Sequence, residues 1–333
     1  MPTPYQTRRQ QIEDEGYDGP IQELPPEAAT AADNRNPRRR RQQEETPEVG
    51  TLVLPEARHE LDLLVLHEQA KADILAGLRA IELRADLEAV WRISQIQPQA
   101  GRCILNFYGP PGCGKTRAAL AIARRLGKPL YQVDYSSVIS KYLGDTAKHI
   151  KLAFERAAEL GAVLFFDEAD SLLSRRVDMN ESCATSINQN RNVLMQELDR
   201  FDGVVIMTTN LFGNYAPALL RRIAKHIEFA LPNRAMRQRL FHLHLPCLAN
   251  RLTADLREIA RASYSLSGGD ILNVCLNSIY AGSLADDPAQ WVITQETLLA
   301  EIAKVKASKR SHENRERKTS REIGFQTERE LEQ

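Results

Sequence analysis

The sequence predicts an α/β fold, a parallel sheet with helices on both faces, followed by a small all-helical lid. Three observations carry that expectation. Between residues 103 and 230 short β-prone runs alternate with helical stretches, the pattern of strand–helix–strand crossovers. One of those runs, "AVLFFD" at 162–167, is nearly all apolar, as a strand covered on both faces must be. After Pro232 the apolar residues take helical spacing.

Residues 1–50 are rich in Pro, Glu, Gln and Arg and poor in large apolar side chains, so a disordered tail is expected there. Its run Arg38–Arg41 could touch phosphate or an acidic partner, but a solvated tail is the preferred reading. From Thr51 to Trp91 apolar residues recur at helical spacing, and long amphipathic helices are expected despite Pro55 and Gly77. "CILNFY" then reads as a strand, 115–126 as a helix, "LYQVD" as a strand and the residues near 145–160 as a helix. "AVLFFD" is the next strand, the residues near 188–199 the next helix, and "GVVIMTT" and "HIEFAL" the last strands. On this reading 51–232 form the core domain, 233–307 the lid, and 308–333 a charged tail or frayed helix.

Composition excludes several classes of function. Lysine plus arginine equals aspartate plus glutamate at 44 each, so no overall field draws the chain to nucleic acid or anionic lipid. The five cysteines form no CxxC pair, which argues against a disulfide framework and a zinc site and suits a reducing compartment. The opening "MPTPYQTRRQQIEDEG" has no apolar leader core and no eighteen apolar residues run consecutively, so a cytoplasmic chain without a membrane span is expected.

Chemistry concentrates at "GPPGCGKT", where Gly109, Pro110, Pro111, Gly112, Cys113, Gly114, Lys115 and Thr116 take the spacing of a P-loop. Backbone N–H groups must wrap phosphate oxygens there, and side chains at Gly112 and Gly114 would obstruct them. Lys115 is expected to reach the β- and γ-phosphates, Thr116 to ligate Mg²⁺, and the following helix to aim its positive end at the anion. The loop follows a strand and opens a helix, which is the context the motif needs. A second half of the site is expected at the end of "AVLFFDEAD": Asp167 to hold magnesium through water, and Glu168 to act as the base toward an attacking water.

With these motifs together the sequence resembles the AAA+ ATPases, and within them the AAA proper branch of protein-remodelling machines, over roughly residues 51–300. "GPPGCGKT" is similar to the family's Walker A, "FFDEAD" to its Walker B, and "TTN" ending at Asn210 to its sensor 1. The resemblance implies that the Asn210 amide positions the lytic water or contacts the γ-phosphate. "APALLRRIAKHIEFALP" resembles the second region of homology, which supplies arginine fingers to a neighbouring subunit. It departs from the usual form in lacking a Pro-Gly insertion, in carrying Ala216 for an acid and in reading Lys225 at the second finger position. The shortened form resembles katanin and spastin relatives and implies a finger at Arg222, with Arg221 the alternative.

"SKYLGDTAKHIKLAFERA" resembles the family's first pore loop, with Tyr142, Leu143 and Gly144 as the substrate-gripping triplet, and residues 173–192 stand where a second pore loop would be. "YSLSGGDILNVC" resembles the start of the lid helix, where Gly268 and Gly269 would let backbone approach the adenosine. The resemblance thus implies ATP and Mg²⁺ as cofactors, a homo-oligomeric ring, usually a hexamer, and a protein substrate, whose choice is left to the first fifty residues, the charged tail or a separate adaptor protein. No H-E-x-x-H follows the lid, which excludes the zinc protease that some AAA proteins carry. Two other classes stay open: a nucleotide-gated assembly or scaffolding chaperone with slow turnover, and, with less support, a DNA-associated loader.

Overall fold

The five β-prone runs, joined by a sixth strand at Thr51–Val53, form one sheet because apolar residues alternate between two covered faces. The computed structural model describes residues 49–96, 102–134, 146–170, 181–210, 217–245, 251–284 and 286–311, with backbone only at 181–187 and 217. The strands are β1 Thr51–Val53, β2 Cys103–Tyr108, β3 Leu130–Asp134, β4 Val163–Asp167, β5 Val204–Thr209 and β6 Lys225–Glu228, in the order β1-β3-β4-β5-β2-β6. β2 to β6 are mutually parallel where they pair, and β4 is central to one half, flanked by β3 and β5.

Helices cover both faces. On one side α1 (Glu68–Glu82) and α3 (Lys115–Arg125) place Ile74, Leu78, Ala118 and Ile122 against Leu105, Phe107, Val163 and Phe165. On the other, α4 (Thr146–Glu159) and α5 (Glu181–Arg200) place Ile150, Phe154, Leu194 and Leu198 against Ile104, Leu164, Phe166 and Met207. Val163 and Phe165 thus face one layer while Leu164 and Phe166 face the other, which is why "AVLFFD" shows no polar alternation. Gly77 sits within α1, where a β-carbon would lie 2.9 Å from Leu105 Cδ2, so the glycine permits close packing and does not break the helix. A second helix, α2 (Arg84–Trp91), follows α1 and buries none of its residues.

Three expectations change. Residues 51–53 are not helical: they form an edge strand antiparallel to β3, pairing Thr51 with Gln132 and Val53 with Leu130. Pro55 holds the residue before it in extended backbone, and Thr51 and Val53 are β-branched, so the open edge of β3 recruits them. The lid also contains a two-stranded parallel pair, β7 (Leu252–Thr253) with β8 (Ile293–Thr294), so it is not helical throughout. Residues 181–192, the later part of the expected second pore loop, are the first turns of α5; its earlier part lies outside the described residues.

The short helix α6 (Pro217–Leu220) leads into β6, and the lid is otherwise built from α7 (Arg234–His244), α8 (Leu256–Ala262), α9 (Gly268–Gly282) and α10 (295–311). Asn233, Asp255 and Ser267 cap the first three with side-chain oxygens that accept orphan backbone N–H groups. Their shared core is Phe241, Ile259, Leu266, Ile271, Val274, Leu298 and Ile302. α10 runs to residue 311, across the expected boundary at 307/308 between lid and charged segment, whose remainder lies outside the described residues. Among the described residues no helix is long and apolar enough to cross a membrane.

Candidate nucleotide-binding site

The Gly109–Thr116 loop connects β2 to α3 at the C-terminal end of the parallel strands, where open α/β sheets bind ligands. Gly109, Gly112 and Gly114 have φ of 135°, 74° and 93°, all in the region that side chains disfavour, which explains the glycine spacing. The Gly112 carbonyl accepts from the Gly269 amide at 2.9 Å, so the lid touches the loop directly.

Lys115, the first residue of α3, turns its ammonium back into the loop. It donates to Gly109 O at 2.5 Å, to Pro110 O at 3.1 Å and to Asn210 Oδ1 at 2.8 Å. Burial lowers its pKa, while Cys113, Asp167 and Asp170 pull the other way. The loop lysine and the strand-end asparagine, 95 residues apart, are therefore one cluster. Burial likewise raises the pKa of the Cys113 thiol.

Asp167 ends β4 beside Thr116, whose hydroxyl donates to Asp167 Oδ2 at 3.4 Å. On its other oxygen Asp167 accepts from Thr208 Oγ1 at 2.6 Å. The Glu168 amide donates both to Thr208 Oγ1 at 3.1 Å and to Asp167 Oδ1 at 3.2 Å. Glu168 itself is at φ 52°, a left-handed conformation that costs a non-glycine residue on the order of 1–3 kcal/mol. The Ala169 amide, bonded to Thr208 O at 2.9 Å, closes the turn that holds it there. Asp170 then accepts from the Asn210 amide at 3.1 Å and from Thr209 Oγ1. Strand β5 thus fixes the whole acidic turn through Thr208 and Thr209.

Lys115, Thr116, Asp167, Glu168, Thr208 and Asn210 line one cavity of about 450 Å³, which Gly269 of α9 also borders; Gly109, Pro110, Thr209 and Asp170 are not in its lining. The lining also includes Leu63 to His67 before α1 and Met236, Leu240 and His244 of α7, a mostly apolar set. His67 Nε2 lies 3.0 Å from Leu231 O, tying the segment to the chain just before the lid. Burial lowers the His244 pKa, with Arg117 adding to the effect. The volume, with charged and hydroxyl groups beside apolar side chains in the lining, suits a molecule with an anionic part and a flat ring. Thr116 hydroxyl and Asp167 carboxylate supply hard oxygen donors suited to Mg²⁺.

Sequence reasoning missed Thr208 and Asp170 as organisers and the Leu63–His67 and α7 walls. The apolar run "LDLLVLH" ahead of α1 was the available signal for the former wall; nothing local marked the others.

Arg221 and Arg222 do not line this cavity. Arg222 makes a bidentate pair with Asp199 of α5, Nε–Oδ1 2.8 Å and Nη2–Oδ2 2.6 Å, and donates from Nη1 to Ala218 O at 2.8 Å. Asp199 also receives Arg102 at 3.4 Å, and its hydrogen bonds from Arg222 lower its pKa while raising that of Arg222. Arg221 is exposed and makes no hydrogen bond or ion pair with another described residue. Lys225 pairs with Asp73 at 3.5 Å. Tyr142, Leu143 and Gly144 lie outside the described residues, as does Ala216.

Comparison with known proteins agrees with this geometry. Residues 105–231 match the ATPase family associated with various cellular activities (AAA). The chain is 33% identical over 224 residues to a protein named probable 26S proteasome regulatory subunit 4 from Caenorhabditis elegans, covering 65% of this chain and 49% of that one. It is 34% identical over 222 residues to 26S proteasome regulatory subunit 4 homolog B of Arabidopsis thaliana, with 65% and 49% covered. It is 33% identical over 228 residues to a cell division cycle protein 48 homolog of Archaeoglobus fulgidus, with 66% and 29% covered. The matched region thus spans about half or less of each relative's length. The chain carries an AAA ATPase domain over residues 105–231.

Proposed function

We propose that this chain hydrolyses ATP with magnesium in the cavity between loop and lid, and uses the cycle to remodel or thread protein substrates as an oligomeric ring. The observation that carries the reading is the convergence of Lys115, Thr116, Asp167, Glu168 and Asn210 in the lining of one cavity, with Lys115 bonded to Asn210 and Thr116 to Asp167. Bound ATP and magnesium would supply the scissile anhydride and neutralise charge on its oxygens.

The roles of the chain's own groups follow from their placement. Loop amides and Lys115 hold phosphate oxygens, Lys115 exchanging its carbonyl partners for them. Thr116 and, through water, Asp167 hold the cation. Glu168, exposed and adjacent, takes the proton of the attacking water, and Asn210 orients that water. Gly269 admits the adenosine side against the lid. Arg222 or Arg221 serves the site of the next copy, which makes the oligomer, a hexamer on the family's pattern, necessary for turnover. Relatives named as proteasome regulatory subunits and as a cell division cycle 48 homolog support the protein-remodelling reading, and the chain is proposed to act in the cytoplasm.

The gripping loop is tested by Tyr142→Ala. Turnover of ATP alone stays within about twofold of wild type, since an aromatic anchor bears on substrate contact and not on phosphate chemistry. Stimulation of that turnover by an unstructured polypeptide, casein, is lost. Undiminished stimulation contradicts threading and favours an assembly chaperone whose hydrolysis only times partner release.

A further inference from the structure

The lid meets the phosphate-binding loop at Gly112, and the last described helix holds that contact. The start of α9 is a capping box: the Asp270 amide donates to Ser267 Oγ at 3.3 Å, and the Ser267 amide donates to Asp270 Oδ2 at 2.7 Å. Within the same turn Gly269 N reaches Gly112 O, and a β-carbon on Gly112 would lie 2.6 Å from Ser267 Oγ. Loop and box are in direct contact, without space for another atom.

Asp270 Oδ2, the oxygen that closes the box, also accepts the Lys309 ammonium at 2.5 Å. The Asp270 side chain is 19% exposed. Burial alone would raise its pKa, but bonds from Lys309 and Ser267 outweigh that and hold it below the usual carboxylate value. One turn earlier on α10, Lys306 donates to Ala262 O at 2.7 Å and lies 3.4 Å from the centroid of the Tyr264 ring. The two lysines bracket residues 263–267, a connection that contains Ser265 at φ 65°. Leu298 and Ile302 anchor α10 itself in the lid core. The end of α10 therefore pins both ends of a strained connection, one of which abuts Gly112.

We propose that Lys309 is a positioning residue for the phosphate-binding loop: through Asp270 it presses the start of α9 against Gly112, and so sets nucleotide affinity without touching nucleotide. The inference rests on the cavity being a nucleotide site. It also gives a function to a residue that sequence alone leaves in the charged segment after the lid.

Binding of a fluorescent Mg-ADP analogue to the full chain reads the effect directly. A partly exposed ion pair is modest in strength, so Lys309→Ala raises Kd about threefold, and Lys309→Glu, which repels Asp270, about tenfold. Lys309→Arg stays within about twofold of wild type because the cation is kept. ATP turnover at saturation is unchanged in all three while KM follows Kd. In an Asp270→Asn background, Lys309→Ala adds nothing further. An unchanged Kd in folded Lys309→Glu, equal losses in the Arg and Ala variants, or full additivity with Asp270→Asn overturns the proposal. A wild type that binds no adenine nucleotide overturns the parent reading, and this one with it.

Discussion

Glu168→Gln lowers saturated ATP turnover by about 10² to 10⁴, the usual worth of a general base, while the protein still binds nucleotide. The argument is geometric. The turn that presents Glu168 is built from backbone bonds to Thr208 and Asp167, none of which uses the Glu168 side chain. An amide of equal size leaves that turn, Lys115 and the Asp167–Thr116 pair in place and removes the proton acceptor. Turnover is followed by phosphate release and retention by the nucleotide that co-elutes with the variant. Substantial hydrolysis by Glu168→Gln assigns the base to another residue.

Removing Arg221 and Arg222 together lowers turnover by about 10³ to 10⁵, the range of a guanidinium placed on the transferring phosphoryl group. That loss comes from residues that do not border their own chain's cavity. It is therefore expected only if they serve a neighbour. Mixing the double variant with Glu168→Gln restores part of the activity, because at some interfaces an intact base meets an intact arginine pair. Without recovery on mixing, the trans assignment fails. The single variants separate the two arginines. Arg222→Ala also lowers thermal stability, by about 1 kcal/mol after solvent screening, because Asp199 loses its bidentate partner. Arg221→Ala leaves stability unchanged, having no partner among the described residues to lose. The sequence resemblance favours Arg222 as the finger, and the structure adds that Arg222 must leave Asp199 to act across an interface. Arg102 remains beside Asp199 to compensate it when that happens.

What was legible in the sequence was local or periodic. β4 announced itself because two covered faces demand an unbroken apolar run, and the loop did so because eight contiguous residues carry one geometric task. What was not legible depends on contacts between distant segments. Thr51–Val53 joins the sheet only because β3 offers a free edge, and the pattern around it looks helical. Thr208 reads as an ordinary strand residue until β5 lies beside β4, when its hydroxyl fixes both Asp167 and the Glu168 amide. Asp199 and Arg222 are 23 residues apart, and no spacing rule joins a helix end to a turn. The lid's β7–β8 pair is two residues long on each side, too short to leave a period of two.

The central claim is that the cavity between loop and lid holds a magnesium-bound adenine nucleotide through Lys115. Calorimetric titration of the full chain with ATP tests it most directly, with magnesium and with chelator, for wild type and Lys115→Ala. The account predicts saturable binding to wild type that depends on magnesium and disappears in the folded Lys115→Ala protein. Binding that is absent from wild type, or equally tight in Lys115→Ala, contradicts it.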